Sequence, residues 1–252
     1  MIPIVGLDYW YLTGESLRRR SELESPETPD GEQELKQARE KGDIVKCLIM
    51  RCHQSKCVFA HVVPCKGADE EGYVVGLIVN AVTWLGHIKV ILKSDQERSL
   101  VSLVARSLMA LRCSVVDLES VTTEHSAAYD SQANGGTEVG VRALRGLFRT
   151  LRSCLEGRAG QKLPVVHALT SWLLEHAALL LNASLKGPDG STPWARVRGR
   201  PFGHRLFGFG EMVFAKQPSK GPQHNSEGNI GPRAKLGVFV SYCRSSNAYR
   251  VV

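Results

Sequence analysis

Three acids in this 252-residue chain stand where a fold could bring them together. Asp95 directly follows the apolar run Ile88-Lys-Val-Ile-Leu-Lys-Ser94, so a strand would carry it to a sheet edge. Asp8 is the single charge in the apolar stretch 2–12, and Glu138 falls in the first turn of a helix that opens after Asn134-Gly135-Gly136. Carboxylates that converge repel one another unless a cation neutralises them. Hard oxygen donors with open positions suit Mg²⁺ or Mn²⁺. Two such ions can activate an attacking oxygen and stabilise a leaving one in phosphodiester displacement. Strand-end aspartates that cap loops are the alternative on position alone.

The helix that carries Glu138 adds a second feature. At about 100° per residue, Glu138, Arg142, Arg145, Arg149 and Arg152 fall within a sector of about 80°. Val141, Leu144, Phe148, Leu151 and Leu155 fall in the neighbouring sector, which is the one to pack on a core. Arginine's planar fork binds phosphate oxygens at two points. A stripe without acidic partners on the next turns therefore reads as a phosphate-contacting face, with a solvated basic face as the other reading.

These residues need elements to position them. The apolar run 2–12 reads as a buried strand, and 44–51 and 57–64 as an antiparallel hairpin across a short polar link. Apolar spacing from Val74 to Val82 gives a helix over 69–86, followed by a strand at 88–95, a helix at 98–111 and a short strand at 113–117. Helices follow at about 137–156 and 164–183, and past Gly203 the pattern turns to strands. Residues 13–43 are rich in Glu, Gln and Lys and read as a polar insertion. Strands first, then strands alternating with helices, give an α/β fold around a mixed sheet. The expected organisation is a core over 1–203 and a small C-terminal β segment over 204–252. A 43% apolar content supports a real core. Seven cysteines are too few and too odd in number for a disulfide-stapled fold. No apolar run approaches the roughly 18 residues of a membrane span, and the start lacks the pattern of a signal peptide. The +7 net charge permits a polyanionic partner, with arginines concentrated beside Glu138 and again at 196, 198, 200 and 205.

The chain resembles the integrase core of LTR retroelements, and most nearly the copia type. Gly6-Leu-Asp8-Tyr-Trp is similar to that family's first aspartate motif, and Ile91-Leu-Lys-Ser-Asp95 to its second. His125-Ser-Ala-Ala-Tyr-Asp-Ser-Gln-Ala-Asn134-Gly135-Gly-Thr-Glu138 resembles the segment that brings the family's glutamate. Trp172 to Asn182, Ser191-Thr-Pro193-Trp, and Gly237-Val-Phe-Val-Ser-Tyr242 with Tyr249-Arg-Val resemble later family runs. The resemblance implies an RNase H-like mixed five-stranded sheet flanked by helices. It implies a D,D-E site in which Asp8, Asp95 and Glu138 bind two Mg²⁺ or Mn²⁺ ions. It also implies that DNA 3′ ends are processed and joined to target DNA. Gln132 and Asn134 would then meet DNA from the loop beside the acids. The implied partners are double-stranded DNA and further copies of the chain, with no membrane, and the implied place of action is the nucleus.

The sequence departs from the pattern in places. Forty-two residues separate Asp95 from Glu138, longer than is usual in the family, and Asp95-Gln-Glu97-Arg-Ser99 lacks the glycine and second acid of the family's run. These departures leave a catalytically degenerate nucleic-acid-binding protein of the same fold as the alternative. Cys47, Cys52, His53, Cys57, His61 and Cys65 cluster without the spacing of a zinc site, so no zinc is expected and buried thiols are the simpler reading.

Overall fold

The computed structural model describes residues 2–14, 17–18, 23, 37, 40–115, 117–125, 135–218, 233–244, 246 and 248–252. The expected insertion at 13–43 therefore falls mostly outside the described residues. The chain divides into two compact units, Met1–Phe202 and Gly203–Val252.

Strand β1 (Ile4–Thr13) is the middle of the larger sheet. It is apolar almost throughout, as a strand covered on both faces must be. It pairs antiparallel with β3 (Ile44–Cys52), and β3 pairs antiparallel with β4 (Val58–Val63). On its other side β1 runs parallel to β5 (Lys89–Ser94), and β5 parallel to β6 (Ser120–His125). The order is β4-β3-β1-β5-β6, and a two-residue strand β2 (Leu17–Arg18) pairs with the far end of β1. This is the mixed five-stranded sheet flanked by helices that was expected, with β2 as a sixth strand.

Helices α1 (Tyr73–Leu85) and α2 (Arg98–Ser114) connect the later strands and cover one face. Val5, Leu7 and Tyr9 of β1, Leu48 and Met50 of β3, and Val90 and Leu92 of β5 pack there against Ile78, Val82, Leu103 and Val104. Helices α3 (Gly135–Ala159) and α4 (Ala168–Ser184) cover the other face, through Val141, Leu144 and Phe148 and through Leu173, Leu174 and Ala177. The short helix α5 (Pro193–Arg198) follows, with Thr192 accepting the Ala195 N–H at 3.1 Å and Pro193 at the first turn.

The strand expected at 113–117 is corrected. Helix α2 continues to Ser114, and the strand is Ser120–His125 instead. Only Val121 of that edge strand is buried, so its polar, β-branched residues carried no apolar signal.

The smaller unit is an antiparallel sheet of β7 (Met212–Lys216), β8 (Ala234–Tyr242) and β9 (Tyr249–Val251). Phe239 and Tyr242 are its buried anchors. The Tyr242 hydroxyl donates to the Arg205 carbonyl at 2.7 Å and accepts from the Phe207 N–H at 2.9 Å.

Candidate nucleic-acid interface

The parallel register of β1 and β5 fixes where the two aspartates stand. Leu7 is opposite Ser94, so Asp8 and Asp95 follow that pair on neighbouring strands at the same level. Asp8 is half-buried and Asp95 is exposed at the end of β5. Since Val5, Leu7 and Tyr9 face α1 and α2, strand alternation turns Gly6, Asp8 and Trp10 to the face covered by α3. The Trp10 indole N–H donates to Asp8 Oδ2 at 2.9 Å.

Helix α3 runs along β1 on that face. The Arg152 guanidinium reaches the carbonyls of Thr13 and Gly14, and the Arg145 guanidinium lies over the Trp10 ring, 5.2 Å from its centre. Seven helical residues rise about 10.5 Å, which matches about three residues of strand at about 3.3 Å each. Glu138, one heptad before Arg145, therefore lies toward the start of β1. Its neighbour Gly136 lies against His53, where a Cβ would meet the imidazole at 2.9 Å. The register thus brings Asp8 and Asp95 to one level of the sheet, and Glu138 lies in the first turn of the helix that covers the same face.

The side chains do not complete a metal centre. Among the described residues, no three Asp, Glu, His or Cys side chains gather so as to hold a metal ion. One Asp8 oxygen accepts an indole hydrogen. The donors are of the right class for a hard divalent cation.

The arginine stripe is not uniform. Arg142 and Arg149 are exposed, and Arg145 is half-buried against Trp10. Arg152 is engaged within the chain. Its Nε pairs with Glu156 at 2.9 Å, one turn on, and its other nitrogens donate to Thr13, Gly14 and, at 2.6 Å, Leu163. It ties α3 to the end of β1 and to the α3–α4 connection. The expectation that no acid pairs with the stripe is corrected by Glu156. Two of the other arginines are engaged as well: Arg196 forks onto Asp189, and Arg198 lies 4.4 Å from the centre of the Trp84 ring. Gln132 and Asn134 lie outside the described residues.

Sequence reasoning missed the residues that surround this site. His53, at the β3–β4 turn, has Nε2 3.3 Å from Thr137 Oγ1 in the first turn of α3. Burial holds its pKa below the ordinary histidine value, and Arg51, Lys56 and Lys93 push the same way. Lys93, two residues before Asp95, pairs with Glu124 of β6, and Ser94 Oγ lies 3.2 Å from His125 Nδ1. No spacing in the sequence links these groups, because sheet register alone makes them neighbours.

Runs that resembled family motifs also have local duties. Asn182 of α4 bridges to β4, accepting the Val58 N–H at 2.8 Å and donating to the Val58 carbonyl at 2.7 Å. Cys47, Cys52 and Cys57 are buried free thiols.

No family model matches the chain, and no curated protein matches its sequence. Solved structures do show a likeness. The catalytic core domain of BIV integrase is 16% identical, with a TM-score of 0.45, over 77% of this chain and 92% of that one. A chain of the simian T-cell lymphotropic virus intasome, solved with the PP2A regulatory subunit B56 gamma, is 12% identical, with a TM-score of 0.48, over 99% of this chain and 75% of that one. Likeness at this level transfers neither activity nor residue roles.

Proposed function

We propose that the chain is a DNA-processing protein of integrase type, of copia-like retroelement origin, acting on DNA in the nucleus as an assembly of several copies. One observation carries the reading: Asp8 and Asp95 stand level on neighbouring parallel strands, and the helix that covers the same face opens with Glu138 and carries Arg142, Arg145 and Arg149 on its next turns. The acids supply the groups that phosphodiester transfer needs, and the arginines supply contacts to a phosphate backbone.

The test is a nicking and end-joining assay with the full chain, duplex DNA ends and Mg²⁺ or Mn²⁺. Metal-dependent product that disappears in Asp95→Asn is the expected result. Product unchanged by Asp95→Asn sinks the assignment of that residue. Faster hydrolysis of an RNA–DNA hybrid than joining of DNA would point to a ribonuclease instead.

A second reading, DNA binding without cleavage, is favoured by the ungathered carboxylates and by the indole N–H on Asp8. It predicts salt-sensitive DNA binding, since each phosphate contact releases counterions, with no metal-dependent product.

A further inference from the structure

Helix α3 has a second working flank, turned away from its arginine stripe. There Val139, Gly140 and Ala143 border a cavity of about 220 Å³, enclosed by the end of β3, the start of β4, the end of α4 and the start of α5. Four cations line it: Arg51, Lys56, Lys186 and Arg196. No acid is among its lining residues, and the rest of the wall is mainly apolar, with Val58, Leu181 and Pro193 buried in it.

Several features build this site. Arg51 crosses α3 at Gly140, where a Cβ would come within 2.6 Å of Arg51 Cδ. Arg196 crosses Gly187, where a Cβ would collide with its guanidinium. Both arginines are therefore seated by a missing side chain. Arg196 is held further by Asp189, at 2.6 and 3.1 Å, and by the Ser55 carbonyl at 3.2 Å. Arg51 is different. Its Nε is buried and has no hydrogen-bond partner among the described residues, and burial pulls its pKa down from the ordinary value. Lys56 sits in the β3–β4 hairpin turn, its N–H donating to the Cys52 carbonyl at 2.9 Å. It is the single non-glycine residue with positive φ among the described residues, at 67°, and it places a cation at the cavity mouth. Such strain persists only where the surroundings impose it.

We propose that this cavity binds a small organic anion, a phosphate or carboxylate head on a compact apolar body. The cations take the head, and the walls formed by Val58, Leu181 and Pro193 take the body. The volume lies below the range of roughly 300–1,000 Å³ usual for drug-sized ligands, so the body is about one ring in size. A duplex backbone, with no apolar part to bury, is the wrong chemistry for such walls.

The experiment is calorimetric titration of the full chain with phenyl phosphate, benzoate, inorganic phosphate and benzyl alcohol. Phenyl phosphate or benzoate binds saturably, the better of the two identifying the head group, while inorganic phosphate binds more weakly and benzyl alcohol does not bind. Lys186→Ala and Lys56→Gly each weaken binding about tenfold, the effect of one charge-assisted contact. Lys56→Gly keeps the fold, because glycine accepts positive φ. Arg142→Ala, across the helix, leaves this binding unchanged. The proposal is overturned if neither organic anion binds, if benzyl alcohol binds as well, or if both lysine variants bind as the parent does. It is equally overturned if Arg142→Ala weakens binding as much, or if a short DNA duplex displaces the anion.

Discussion

The two flanks of α3 are both basic, yet they present their charge in opposite ways. On one flank Arg142 and Arg149 stand in solvent, one helical stripe with Glu138. On the other, Arg51 and Arg196 lie across glycines against an apolar wall. Exposed cations gain little from any single partner, are screened by salt, and add up along a polyanion. Enclosed cations are few and fixed, and they choose a ligand by its shape as well as its charge. Between the flanks, Val141, Leu144 and Phe148 fix the roll of the helix on the sheet. A change that rolls or lifts α3 must disturb both at once.

Gly140→Leu is the largest such change. The added side chain would start 2.6 Å from Arg51 Cδ, in the contact between α3 and β3. Overpacking of this kind costs about 1–3 kcal/mol or more. Chemical denaturation should show a loss at or above that range, with both anion binding and DNA binding impaired. A stable variant that loses cavity binding alone would mean that the flanks are independent.

The arginines should separate by role. Arg152→Met removes an ion pair and three carbonyl contacts from a half-buried guanidinium, and should cost about 2–3 kcal/mol of stability. The salt dependence of DNA binding should not change. Arg149→Ala should do the reverse, leaving stability within about 0.5 kcal/mol and reducing the slope of log K against log salt by about 1. If Arg152→Met lowered the slope and Arg149→Ala did not, the stripe would have been divided at the wrong place.

This division marks how far the sequence could be read. The sheet was legible because each strand except β6 and the two-residue β2 carried its own apolar pattern, and the acids were legible because they punctuate those patterns. The helical stripe was legible as a stripe. What periodicity could not show was whether a partner lies elsewhere in the chain. Arg152 is occupied by carbonyls at 13 and 14 and at 163, and Arg196 crosses to Ser55. The cavity was invisible for the same reason, since its four cations sit at positions 51, 56, 186 and 196, and only the fold makes them neighbours. His53 passed as one member of a cysteine–histidine cluster, although its place is under the first turn of α3.

Acid should distinguish a buried histidine from a half-buried one. His176 of α4 is fully buried, and burial pushes its pKa down to about 4 from 6.5. A histidine with a depressed folded pKa takes up its proton more readily in the unfolded chain. Its stability contribution is therefore complete above about pH 6.5 and declines as the pH falls toward about 4. His53 is depressed in the same direction but lies at the site. His176→Phe should flatten the loss of stability between pH 6.5 and 4 while leaving the pH dependence of DNA binding in place. His53→Gln should alter the second more than the first.

The smallest expected effect is also the one that separates strain from purpose at the cavity mouth. Lys56 holds φ at 67° in the β3–β4 turn, a conformation that disfavours any side chain with a Cβ by about 1 kcal/mol. Glycine at that position removes the strain, although it also loosens the unfolded chain by a few tenths of a kcal/mol to about 1 kcal/mol. Lys56→Gly should therefore leave the thermal midpoint unchanged or raise it by a degree or two. Lys56→Ala, which keeps the Cβ and loses the charge, should lower the midpoint relative to Lys56→Gly. Both should weaken anion binding equally, because both remove the ammonium. If Lys56→Ala retained the affinity and only Lys56→Gly lost it, the turn's shape rather than its charge would hold the ligand, and the contrast between the two flanks of α3 would rest on Arg51 and Arg196 alone.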